Sequence, residues 1–174
     1  MVELLNKAEG FMEKGNYTEA KKIYYDILSK DPNQALAFSK LGVIFARENE
    51  KDKAEAYFNK ALKLNPKLSS AASNLGNLYF EKGDFNKAKE FYEKAIAMAP
   101  DNSIPYNNLA VVYKKLNDLD KYVEFYKKSI HLTTWGTNTA YNPIKGGSKG
   151  KYTVVFGGLA IILLAIYLLS SYKG

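Results

Sequence analysis

The stretch "NLGNLYFEKGDFNKAKEFYEKAIAMAP", residues 74–100, decides how the rest of the chain is read. Leu75-Gly76, Tyr79, Ala88, Tyr92, Ala95 and Pro100 set small residues and aromatics in a fixed order. Thirty-four residues earlier the order returns as Leu41-Gly42, Phe45, Ala54, Phe58, Ala61 and Pro66. A further 34 back stand Ala8, Phe11, Ala20, Tyr24 and Pro32, with Lys7 and Ile27 departing from it. Forward by 34, Leu109-Ala110, Tyr113 and Tyr126 keep the pattern, while Tyr122, Ser129 and Thr134 replace the two alanines and the proline. The period predicts four units, 1–34, 35–68, 69–102 and a divergent 103–136. A fixed period of this length marks a solenoid of stacked units.

Each unit reads as two helices, over 70–82 and 86–98 in the third. Between them Gly83 falls where a helix ends in a left-handed turn, which glycine adopts without a Cβ penalty. The equivalent positions are Gly15, Asn49 and Asn117, and asparagine is the next most tolerant residue there. Gly42, Gly76, Ala54 and Ala88 let the paired helices approach, and Phe45, Tyr79, Phe58 and Tyr92 fill the space beside them. The aromatics thus read as core, a tyrosine ring being buried with its hydroxyl at the edge.

These residues at this spacing resemble the tetratricopeptide repeat family across residues 1–136. The resemblance implies an all-α solenoid of antiparallel helix pairs, a concave face built from each unit's first helix, and protein or peptide binding. First-helix residues not used by the core are then the candidates for that face: Asn6, Glu9 and Glu13; Ser39, Lys40, Val43 and Arg47; Ser73, Asn74, Asn77 and Phe80; Asn107, Asn108, Val111 and Lys114. A carboxamide both donates and accepts, which suits an extended peptide backbone. Asn74, Asn77 and Asn108 are therefore expected to hold such a backbone, with Lys40, Arg47 and Lys114 meeting acidic groups. Members that bind chaperone tails carry a lysine where Ser73 stands, so that specificity is not expected. In the divergent unit Tyr122, Phe125 and Trp135 are candidates for a capping or partner surface.

The chain has 174 residues and no cysteine, which excludes disulfides and thiolate metal sites. Its formal charge is +7, but residues 1–136 hold 21 Lys and Arg against 18 Asp and Glu, a balance of +3. Lys145, Lys149, Lys151 and Lys173 supply the remainder, so no nucleic-acid footprint is expected on the repeats. His131 is the one histidine, read as a helix-end residue beside the last carbonyls. No glycine-rich phosphate loop follows a strand. No enzyme activity, metal or cofactor is expected.

From Tyr152 to Tyr172, "YTVVFGGLAIILLAIYLLSSY" carries no charge. As a helix these 21 residues would reach about 31 Å, the thickness of a hydrocarbon core. Lysines flank the stretch, three before and one after, which predicts a single membrane span with the repeats on the cytoplasmic side. Gly158 and Ala165 lie on one face of that helix and would admit a neighbouring span. Residues 137–151, with their glycines, asparagines and Pro143, read as a linker. The sequence therefore predicts a tail-anchored interaction module: a scaffold, assembly factor or accessory subunit of a membrane protein complex. An organelle outer-membrane adaptor similar to the mitochondrial fission proteins is the alternative.

Overall fold

The computed structural model describes residues 1–135, and over these the chain is helical throughout, with no strand. The helices are α1 (Val2–Glu13), α2 (Tyr17–Lys30), α3 (Ala35–Arg47), α4 (Lys51–Leu64), α5 (Ser69–Glu81), α6 (Phe85–Met98), α7 (Ser103–Lys115) and α8 (Leu119–Trp135). Contacts are densest within α1–α2, α3–α4, α5–α6 and α7–α8, so the units are helical hairpins. Each second helix packs on the next unit's first helix, and α3, α5 and α7 touch along one side. The predicted span at 152–172 and the linker at 137–151 lie outside the described residues.

The hairpin turns share one mechanism. Gly15, Asn49, Gly83 and Asn117 sit at φ 72°, 61°, 79° and 61°. At each, two backbone bonds close the helix end, as where Gly83 N–H donates to Phe80 O at 3.0 Å and Asp84 N–H to Tyr79 O at 2.9 Å. This pair satisfies carbonyls that the helix leaves without partners. The next helix starts at once: Asn16, Asp84 and Asp118 each accept a backbone N–H three residues on.

Inside each hairpin the small residue makes room for a ring. A Cβ at Gly42 would lie 2.7 Å from Phe58 Cδ1, and one at Gly76 would lie 2.6 Å from Tyr92 Cε1. The ring thus rests on the glycine itself, with Ala54 and Ala88 buried beside it. Ion pairs across the unit boundaries add to the contacts there. Lys21 Nζ meets Glu48 Oε2 at 2.8 Å, and one unit on the signs reverse, with Lys82 Nζ at 2.7 Å from Glu55 Oε2. The Lys82 hydrogen bond, and then that from the Tyr79 hydroxyl, hold the Glu55 carboxyl below the usual glutamate range. One repeat further the same two positions are Lys89 and Leu116, which cannot pair.

Three sequence expectations need correction. Ser39 and Ser73 are buried between helices and do not face a groove. Their repeat position points inward because Ala37, Leu41 and Ile44 around it form the inter-unit contact. His131 is not at a helix end, since α8 runs on to Trp135.

Candidate functional site

The first helices of the second, third and fourth units line a pair of open cavities. One of about 310 Å³ is walled by Val43, Ala46 and Arg47 of α3, Phe58 of α4, and Asn74, Asn77, Leu78 and Glu81 of α5. The next, of about 220 Å³, is walled by Asn77, Phe80 and Glu81 of α5, Tyr92 of α6, and Asn108 and Val111 of α7. Asn77 and Glu81 belong to both, so the two form one groove running across the repeats.

Asn77 is the hinge of its chemistry. Its Oδ1 accepts from the Tyr92 hydroxyl at 2.7 Å and from Asn108 Nδ2 at 3.0 Å. Its carbonyl is therefore occupied, and its NH₂ remains to donate into the groove. Asn108 spends a donor on this bond and keeps its carbonyl free to accept. Asn74 makes no side-chain hydrogen bond among the described residues. The groove thus offers a donor at Asn77, an acceptor at Asn108 and both at Asn74, matched to alternating C=O and N–H groups of an extended chain. Val43, Phe80 and Val111 supply apolar wall between them.

The three cations named from sequence occupy different places. Arg47 is in the groove, its guanidinium 5.7 Å from the centre of the Tyr17 ring. Lys40 is outside it, with Nζ 2.8 Å from Glu9 Oε1, which joins α1 to α3. Lys114 is exposed, 5.6 Å above the Tyr122 ring, and walls neither cavity. The residue that sequence reasoning missed is Glu81, which lines both cavities. The signal was available: it stands 34 residues after Arg47, and this position reads Glu13, Arg47, Glu81 and Lys115 down the chain. The charge alternates from unit to unit.

Tyr122 and Phe125 are half-buried, facing the cluster of Ala88, Tyr92, Leu109, Val112 and Tyr113. The Phe125 ring stacks on Tyr113 at 5.3 Å. Phe125 also lines an open cavity of about 490 Å³ with Tyr106, Glu124, Lys127, Lys128 and His131. Trp135 is the final residue of α8. Gly158 and Ala165 lie outside the described residues. Among the described residues no group of three or more His, Asp and Glu could hold a metal ion, and no helix is long and apolar enough to cross a membrane.

Three family models, each described as a tetratricopeptide repeat, match residues 5–69, 69–102 and 91–121. No curated protein matches the chain. Among solved structures it is similar to MamA, with 26% identity over 78% of this chain and 79% of that one, at a TM-score of 0.67. PilF of Pseudomonas aeruginosa is similar too, at 25% identity over 75% and 60% of the two chains and a TM-score of 0.70. YrrB, described as a TPR protein with an unusual peptide-binding site, shares the fold at 22% identity over 64% and 57%, with a TM-score of 0.59. With its repeats matched from residue 5 to residue 121, the chain belongs to the tetratricopeptide repeat family.

Proposed function

We propose that this protein is a membrane-anchored interaction module that holds an extended segment of a partner in the groove between α3, α5 and α7. The partner belongs to a membrane protein complex, for which the protein serves as scaffold, assembly factor or accessory subunit. The observation that carries this is the continuous groove, with Asn74, Asn77 and Asn108 offering complementary donors and acceptors along it. Glu81 and Arg47 add a charge pattern: a basic side chain of the segment suits the former and an acidic one the latter.

The anchor is residues 152–172, and the support for it is their uncharged sequence and flanking lysines. With the repeats on the cytoplasmic side, anchoring confines the groove to the membrane plane and raises the effective concentration of a membrane-resident partner. Ile162→Lys with Leu164→Lys tests it in the full chain, because each lysine near the centre of a span costs about 2.5–3.5 kcal/mol on insertion. The doubly substituted chain should leave the membrane fraction on carbonate extraction. Retention equal to that of the unsubstituted chain removes the anchor from the proposal.

A further inference from the structure

In the first three units the second helix is covered in the same way. The repeat positions of Tyr17, Lys21, Tyr24 and Leu28 on α2 recur as Lys51, Glu55, Phe58 and Leu62 on α4, and as Phe85, Lys89, Tyr92 and Ile96 on α6. The first helix of the following unit packs against each. The aromatic of each set is closed from solvent, with Tyr24 at 0%, Phe58 at 1% and Tyr92 at 2% exposure. On α8 the set is Leu119, Val123, Tyr126 and Ile130, exposed by 58%, 43%, 42% and 45%. At spacings of four, three and four residues these form one stripe on a helix.

The composition of the stripe is what needs explaining. Its second position is charged in every covered unit, Lys21, Glu55 and Lys89, and the first two of these pair with the following helix. A repeat array facing water ends in a polar outer face. Here Val123 replaces the charge, so the uncovered set is the most apolar of the four.

We propose that the stripe Leu119–Val123–Tyr126–Ile130 docks an amphipathic helix of another protein, seated as the first helix of a fifth unit would be. The chain itself shows what such a helix presents. The covering helices bury Ala37, Leu41 and Ile44 on α3, and Ala71, Leu75 and Leu78 on α5, a small residue followed by leucine four later and an aliphatic three beyond. A second copy stacked head to tail would offer Glu3, Lys7 and Gly10 at those positions, which cannot replace them. In the same register the stretch after α8 reads Thr139, Pro143 and Gly146. The margins of the stripe are mixed in charge, with Asp120, Glu124 and Lys127 following Leu119, Val123 and Tyr126 directly and all three exposed. Lys127 adjoins Tyr126 in sequence, and Lys114 lies over Tyr122, whose ring stacks on Tyr126 at 5.7 Å. Both lysines are exposed and in no ion pair among the described residues, so the occupant is a helix that sets carboxylates opposite Lys114 and Lys127 and keeps them away from Asp120 and Glu124. This inference is independent of the groove.

The chain has no cysteine, so Thr134→Cys, exposed on α8 four residues after Ile130, gives one labelling site beside the stripe and leaves both lysines in place. The labelled full chain, in phosphatidylcholine nanodiscs with and without phosphatidylserine, carries an environment-sensitive dye there. The probe is a stapled helical peptide with the sequence of Ser69–Glu81, made with and without flanking glutamates. A saturable blue shift on peptide addition is expected, tightened about threefold by the glutamates and relaxed by salt. Val123→Lys with Ile130→Lys should weaken binding at least tenfold, roughly the loss on removing interface anchors. Both positions are solvent-exposed, and an unchanged circular dichroism spectrum verifies the fold. Replacing the peptide's leucine at the Leu75 position by glutamate should abolish the shift. The proposal is overturned by no binding, by binding that ignores the α8 substitutions, or by a shift present before peptide. In that last case dependence on phosphatidylserine would assign the stripe to the bilayer, and dependence on protein concentration to a second copy.

Discussion

Gly76→Ala is the sharpest test of how the hairpins are built. The added methyl would lie 2.6 Å from Tyr92 Cε1 and 2.7 Å from Cδ1, closer than a carbon and a ring atom can sit. The ring must move, and with it the hydroxyl that reaches Asn77 at 2.7 Å. Overpacking of this kind costs about 1–3 kcal/mol, and loss of the hydrogen bond adds about 1 kcal/mol. Against this, alanine is favoured over glycine inside a helix by about 1 kcal/mol. The net expectation is a loss of about 1–3 kcal/mol, toward the lower end because the first unit already accommodates Ala8 in this place. There the Tyr24 hydroxyl is buried without a hydrogen-bond partner. The control is Gly10→Ala, whose Cβ would meet nothing within 4 Å and which should gain up to about 1 kcal/mol. The assay is urea denaturation of the full chain in detergent micelles, followed by circular dichroism. Gly76→Ala as stable as Gly10→Ala would refute the ring-on-glycine reading.

Tyr24→Phe removes a buried hydroxyl that has no partner, so it should be neutral or stabilising by up to about 1 kcal/mol, whereas Tyr92→Phe should cost about 1 kcal/mol; thermal melts of the two variants separate them. Asn49→Gly should be neutral or slightly stabilising and Asn49→Ala should cost about 1 kcal/mol, because φ there is 61°; denaturation midpoints show the order. Glu55 has a folded pKa below its unfolded value, so its stabilisation is complete above about pH 4.3 and is lost as pH falls through the lower folded value. The stability gap between the chain and Glu55→Gln should therefore be constant near neutrality and shrink in acid, as urea midpoints across that range would show. A gap that widened in acid would contradict the cross-unit lock.

The hairpins were legible because their demands fall on backbone and volume. Left-handed φ at Gly15, Asn49, Gly83 and Asn117 restricts residue type, and a ring on Gly42 or Gly76 restricts size; both leave marks at a fixed period. The groove was legible only in part. Asn74, Asn77 and Asn108 follow from counting, but Ser39 and Ser73 satisfy the same count and are buried. Which side of a first helix faces solvent depends on its tilt against its neighbours, and composition does not encode tilt. The partner of Lys40 could not be read from the sequence, because Glu9 is 31 residues away on another unit, a pairing only the stack creates. At the last hairpin Tyr122 and Phe125 drew attention as aromatics, and both are half-buried against the core of that hairpin. The exposed stripe takes the residue after each, Val123 and Tyr126, together with Leu119 and Ile130.

Site-specific photocrosslinking tests the central claim most directly, that the face of α3, α5 and α7 is where the partner binds. A photoreactive residue placed at Asn74, in the groove, is compared with one at Glu90, exposed on α6, in the full chain in intact cells. The account predicts one specific adduct from Asn74, lost when Glu81 and Asn108 are replaced by alanine, and none from Glu90. Equal labelling from both positions, or an Asn74 adduct indifferent to those replacements, would contradict it.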